Sequence, residues 1–262
     1  MSHVQDEVLR GFWTWYEQLS DQARAVVTAP LMNKVRALLL RPFVRDTLTG
    51  GSSTIDMDSV LDGGICLVRL SQDTLGAETA AFVGSLVVAR TWQSAIHRDR
   101  LPQSERRDCA LYIDECHHFL HLPYALTDML AAARGYRLSL TLSHQYLRQL
   151  PRELEAGVSA NARTKVFLNA SPEDARSLAW HTAPRLTEYD LTHLPAFHAA
   201  IRPVVHGRET PAFTIRTEQL PPPVAGRDVA IRQAAASALR PSVQSPLAHP
   251  ASRPAADPRR TA

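Results

Sequence analysis

The chain has 262 residues, 45% of them apolar and 21% charged, with a net charge of +3. That is an ordinary soluble composition, enough to bury one sizeable core with a small appendage. The longest apolar run, TAAFVGSLVVARTW from Thr79, meets Arg90 well short of the roughly 20 residues that cross a bilayer, and the opening MSHVQDEVLRG lacks the apolar segment of an export signal, so a cytosolic location is expected. Charge is uneven. From Pro221 onward six arginines face two aspartates, which leaves the remainder close to neutral and gives no electrostatic footprint of a DNA-binding face. Cys66, Cys109 and Cys116 have no paired spacing and read as reduced core residues.

Taken in chain order, residues from about Val4 to Leu40 read as helical. Apolar residues recur at three- and four-residue intervals in DEVLRGFWTWYEQLS and DQARAVVTAPLMNKVRALLL, with Ser20 or Asp21 placed to cap the second stretch. Pro42 and the pair Gly50, Gly51 are expected to end this section. From Ile55 the pattern changes to short apolar, β-rich runs alternating with amphipathic stretches. ICLVRL (65–70), CALYIDE (109–115), RLSLTLSHQ (137–145) and RTKVFLNA (163–170) read as strands. Helices are expected from Gly76 to His97, from about Pro123, from Pro151 and in SPEDARSLA (171–179). In the last, Ser171 caps, Pro172 fits the first helical position and Asp174 completes a capping-box arrangement.

Two final strands are expected in HAAIRPVVHG (198–207) and PAFTIRTEQ (211–219). The implied fold is α/β, a mostly parallel sheet with helices on both faces, preceded by a helical segment. The domain reading is a helical segment over 1–46, the α/β part over 47–220 and a Pro/Ala/Arg-rich tail over 221–262, expected to be disordered because it cannot bury enough apolar surface to offset its ordering entropy.

The chemistry gathers where a strand ends. In open α/β sheets ligands bind beyond the carboxyl ends of the strands, and Asp114 and Glu115 fall there. One carboxylate in that position can hold Mg²⁺ and its neighbour can orient or deprotonate an attacking water. The next strand ends in Gln145, able to donate to a phosphate oxygen and to accept from water. A bland reading stands beside this one, in which Asp114 caps the following helix and Gln145 is a surface residue. ECHHFLH places His117 and His121 four apart beside Cys116, but without the HExxH order or a second ligand cluster a zinc site is not expected. There is no G-x-S-x-G elbow for a serine hydrolase.

From Asn33 to Leu220 the sequence resembles the RecA-like hexameric motor ATPases that include FtsK, HerA and the conjugation and type IV secretion coupling proteins of the TraG/TraD kind. The resemblance is carried by NKVRALLLRPFVRDTLTG, STIDMDSVLDGGICLVRLSQDTLGAETAAFVGSLVV, LYIDECHHF, AAARGYRLSLTLSHQYLRQL and ANARTKVFLNASPEDARSLA, in that order. It departs at Gly135, where many relatives have lysine, and at Leu168 and Asn169, where they have an aromatic residue and an arginine.

The resemblance implies a partial P-loop NTPase fold in which LYIDE is the Walker B strand, Asp114 holds Mg²⁺, Glu115 is the general base and Gln145 senses the γ-phosphate. Arg134 matches a basic position that faces phosphate or a neighbouring subunit, though a helix-end arginine favoured by the helix dipole explains it equally well. It further implies ATP and Mg²⁺ as cofactors, DNA as the partner of the complete motor and a homo-hexamer as its assembly. A cytoplasmic place is implied too, at the inner face of the inner membrane through partners, with direct membrane association only through an absent N-terminal region.

One part is missing. A phosphate-cradling loop needs glycines and a lysine followed by Ser or Thr, and Lys34 and Lys165 are the sequence's two lysines, neither in such a context. The expectation is the C-terminal portion of a larger motor, truncated or split, inactive alone and served by a polypeptide carrying the Walker A half. The alternatives are a non-catalytic RecA-like interaction module and a fragment of a HerA- or FtsK-like DNA-processing motor.

Overall fold

Helical periodicity is obeyed at the N-terminus, where α1 (Glu7–Gln18), α2 (Asp21–Leu39) and α3 (Pro42–Thr49) succeed one another. The computed structural model describes residues 6–49, 51, 53–119, 122 and 124–238, so the expectations on Gly50, His121, Pro123 and the tail beyond 238 lie outside the described residues. Ser20 is the cap of α2: its hydroxyl accepts from Ala23 N–H at 3.3 Å, while Asp21 pairs with Arg24 at 3.4 Å. Pro42 does not end the helical section. It takes the first position of α3, where a missing N–H costs nothing. Arg41 ties this section to the α/β part by donating to Leu75 O at 2.8 Å and to the Thr79 hydroxyl. Gly76, between α5 (Gln72–Leu75) and α6 (Ala77–His97), has φ +80, and a Cβ there would meet the Arg41 guanidinium. Only glycine satisfies both conditions.

The described chain divides into two units, one comprising residues to 51 together with Asp56–Leu220, the other Ser53–Ile55 with residues from Pro221. In the first, α4 (Met57–Leu61) and α6 pack over a parallel pair, β1 (Cys109–Ile113) and β2 (Leu138–Leu142), registered from Cys109↔Leu138 to Ile113↔Leu142. Val88, Trp92, Ile113, Leu138 and the fully buried Met129 of α7 (Leu126–Ala132) form the main core, joined by Leu154 of α8 (Arg152–Asn161). Burial alternates along both strands. Cys109, Leu111, Ile113, Leu138, Leu140 and Leu142 face this core, while Ala110, Tyr112, Ser139 and Thr141 are exposed. Of the helical cover expected on both faces, the described residues supply one.

The segment 65–70 is not a strand. It is mostly apolar, but among the described residues it pairs with no backbone, Ile65 and Leu67 are 88% and 81% exposed, and a cavity of about 920 Å³ lies between it and β1. Sequence propensity records fitness for a pleated surface, and a strand forms only where a neighbour completes the ladder.

A second sheet lies further along the chain, antiparallel and ordered β3 (Lys165–Phe167), β4 (His198–Arg202), β7 (Phe213–Arg216). Pro203 interrupts the first of the two expected final strands because it has no N–H to donate, and a small hairpin of β5 (Val204–Val205) and β6 (Arg208–Glu209) precedes β7. Ala175 of α9 (Pro172–Leu178), Leu191 of α10 (Glu188–Thr192) and Ala200 form a smaller core against this sheet. Ser171 caps α9 as expected, accepting from Asp174 N–H at 3.2 Å, but the Asp174 carboxylate turns away to accept from Leu147 N–H at 3.2 Å. The full capping box lies at Thr187 and Asp190, heading α10.

In the second unit α11 (Arg227–Ala238) corrects the expectation of disorder over that stretch. RDVAIRQAAASA is rich in alanine, the best helix former, and Asp228 pairs with Arg232 one turn on at 3.5 Å. No described helix is long and apolar enough to cross a membrane.

Candidate functional site

Parallel pairing puts the C-terminal ends of β1 and β2 at one rim. The pair Ile113↔Leu142 sets Asp114 and Glu115 opposite Ser143, His144 and Gln145. In a continuing strand two successive carboxylates would point to opposite faces. Glu115 instead has φ +49, a left-handed backbone that costs a non-glycine residue about 1–3 kcal/mol. Three contacts hold it: Glu115 N–H donates to Asp114 Oδ1 at 3.1 Å and to Ser143 Oγ at 3.2 Å, and Cys116 N–H donates to Ser143 O at 2.8 Å. The turn breaks the alternation and brings both carboxylates to the rim.

Each carboxylate has a distinct setting. Asp114 is exposed; its Oδ1 accepts from the Ser143 hydroxyl, and among the described residues Oδ2 has no hydrogen-bond partner. Glu115 is half-buried, its Oε1 accepts from Gln145 Nε2 at 2.7 Å, and its Oε2 lies 3.5 Å from His117 Nδ1. Both of these last atoms are buried, and among the described residues neither has a hydrogen-bond partner. Burial, then the neighbouring His118, holds His117 below the usual histidine range against the opposing pull of Glu115. Burial, with the Glu115 charge second, pushes the Cys116 thiol up to about 11. It is a neutral wall of the site.

Asp114, Glu115 and Gln145 are therefore brought together, and Arg134 is not. Arg134 sits in the turn 133–136 before β2, a full strand away from the rim that carries Gln145. Lys165 cannot serve as a phosphate lysine: its ammonium is buried and donates to Ser159 O at 2.9 Å and Ala162 O at 2.6 Å, closing the end of α8. Lys34 is exposed on α2.

The donor set suits Mg²⁺. That ion is held by one or two carboxylates plus waters and substrate phosphates rather than by an all-protein cage, and the described residues contain one outward carboxylate oxygen here and no cluster of three or more metal-ligating side chains.

Two participants escaped sequence reading. Ser143 binds Asp114, and parallel alignment of the two strands would have found it, since register places it beside Asp114. Gln149 accepts from Gln145 N–H at 2.9 Å and Tyr146 N–H at 3.3 Å through Oε1. Nothing in the sequence marks it.

No protein-family model matches the chain, and no curated protein matches it. Solved structures do. The plasmid coupling protein TrwB in complex with the non-hydrolysable GTP analogue GDPNP superposes with a TM-score of 0.58 at 18% identity, covering 82% of this chain and 55% of that one. TrwB in complex with ADP and Mg²⁺ gives 0.58 at 17% with the same coverages. An unbound form of this bacterial conjugative coupling protein gives 0.50 at 18%, covering 67% and 48%. The chain thus spans about half the length of the TrwB chains it matches. The likeness shows the fold, an α/β arrangement similar to that of TrwB, and it agrees with the resemblance carried by the sequence.

Proposed function

We propose that this chain is the carboxylate-bearing part of a nucleotide-hydrolysing motor of the conjugative coupling kind, completed by a phosphate loop that lies outside these 262 residues. The contact of Glu115 with Gln145, beside Asp114 and at the ends of adjacent parallel strands, carries the reading. Asp114 would hold Mg²⁺ through its outward oxygen or a water. Bound there, the ion supplies neutralisation of charge on the phosphate oxygens. Glu115 accepts the proton of an attacking water, and Gln145 reports the presence of a γ-phosphate by exchanging its Glu115 contact for a phosphate oxygen. Without loop amides and lysine, the electrostatic stabilisation that is commonly the largest catalytic contribution is missing.

By the same reading the assembled motor is a ring of copies, a hexamer, that translocates DNA in the cytoplasm, held by partners at the inner face of the inner membrane. Arg134, remote from its own rim, faces a neighbouring subunit there. A second reading is a RecA-like module that only docks partners. Calorimetric titration with Mg-ATP separates them. The isolated chain is expected to bind no more than weakly, and the chain co-expressed with a TrwB-type polypeptide bearing the phosphate loop to bind tightly. A co-purifying pair with no nucleotide affinity, unaffected by Asp114→Ala, would favour the docking module.

A further inference from the structure

Three side chains, Gln145, Gln149 and His117, surround the Glu115 carboxylate, linked by three hydrogen bonds and one close approach that is not a hydrogen bond. Gln145 Nε2 donates to Glu115 Oε1 at 2.7 Å, Gln145 N–H donates to Gln149 Oε1 at 2.9 Å, Gln149 Nε2 meets His117 Nε2 at 3.3 Å, and His117 Nδ1 faces Glu115 Oε2 at 3.5 Å. These contacts determine where the imidazole proton sits. Gln149 Oε1 is committed to two backbone N–H groups, those of Gln145 and Tyr146, so its amide cannot flip, and the nitrogen turned toward His117 is a pure donor. His117 Nε2 must then accept. In the neutral ring the proton is on Nδ1, aimed at Glu115 Oε2. Burial favours that neutral ring, and the side chain is only 14% exposed.

The geometry points to His117 as a positioning residue for Glu115, held by Gln149 as the Nδ1–H tautomer, that anchors Oε2 while Gln145 acts as a releasable catch on Oε1. This rests on the proposed hydrolytic role of Glu115 and deepens it. With Oε1 held by Gln145 and Oε2 buried beside His117, Glu115 is parked and cannot take a proton from water. Release requires only the exposed Gln145 side chain to turn toward a phosphate, because the Gln145 backbone stays fixed on Gln149. The anchored oxygen then keeps the freed one in place, so the base is withheld until a γ-phosphate arrives and is already oriented when it does. His117, which offers no zinc site in the sequence, thereby acquires a task.

Long-range ¹H–¹⁵N spectra of histidine-labelled full-length chain, without nucleotide and at neutral pH, read the tautomer directly. In the native chain the His117 ring is expected to carry its proton on Nδ1, with Nε2 bare. Gln149→Glu keeps the shape and both backbone contacts but turns an acceptor toward Nε2, so a proton is expected to appear on Nε2. A native ring protonated on Nε2, or a ring pattern unchanged by Gln149→Glu in a folded variant, overturns the inference. Because the readout needs no hydrolysis, inactivity of every assembled form would defeat the proposed function and leave this result standing.

Discussion

Arg98 fixes the far end of both site-bearing strands, and its removal yields a sharp prediction. Its side chain is 7% exposed; one terminal nitrogen donates to Tyr136 O at 2.9 Å and Cys109 Sγ at 3.2 Å, the other to Leu61 O at 2.8 Å while lying 3.6 Å from the Asp62 carboxylate. One guanidinium therefore joins α6, the start of β1, the turn before β2 and the end of α4. Arg98→Met preserves length and apolar contact but leaves two carbonyls without donors at about 1–3 kcal/mol each, and relief of guanidinium desolvation offsets part, so a net loss of about 3 kcal/mol is expected. With an m-value of about 2 kcal/mol/M, the urea midpoint falls by about 1.5 M. Arg98→Lys can satisfy one carbonyl but not fork between two, and should lose about half as much. Equilibrium unfolding followed by tryptophan fluorescence measures both. A midpoint within about 0.25 M of the native value for Arg98→Met, or a lysine variant equal to the native chain, would refute the reasoning.

Two further perturbations report on the site from its flanks. Alanine in a helix interior normally gains about 1 kcal/mol over glycine, yet a Cβ at Gly84 would overlap the Phe119 ring and come within 2.9 Å of Leu70 Cδ1, so Gly84→Ala is expected to lose about 1–3 kcal/mol. Recovery in the double variant with Phe119→Leu, measured by denaturation, checks the cause, and a more stable Gly84→Ala would contradict it. The raised Cys116 pKa means that the folded state keeps a proton the unfolded thiol gives up above its ordinary 9.0. Stability from this thiol is complete below pH about 9 and is lost as pH rises through about 11, so denaturation midpoints should fall more steeply over that window in the native chain than in Cys116→Ala. Equal slopes would contradict the assignment.

The site was legible where local chemistry and topology coincide. An apolar run ending in Asp-Glu, with another ending in Gln one helix later, becomes a single rim as soon as the two strands pair in parallel, and periodicity alone suggested that pairing. The capped start of α9 was legible for the same reason, because cap and donor are three residues apart. The misreadings arose where structure depends on distant residues. ICLVRL has the composition of a strand but, among the described residues, no neighbour to complete it. RDVAIRQAAASA sits among prolines that made the whole tail read as unstructured, although its own alanines and one ion pair favour a helix. Arg134 matched a family position in sequence and fell at the wrong end of β2 for a role at its own rim. His117 and Gln149 were beyond reach, since their relation exists only once the turns after β1 and β2 are brought together.

Mg²⁺-dependent ATP turnover by the chain assembled with a polypeptide carrying the phosphate loop, compared with the same assembly bearing Glu115→Gln, shows whether Glu115 acts as the base of a shared site. The assembly is expected to show turnover that the isolated chain lacks and that the substitution lowers by about 10²–10⁴-fold, the usual contribution of a positioned general base. Turnover by the assembly that survives Glu115→Gln undiminished, or turnover by the isolated chain that the same substitution abolishes, would contradict it.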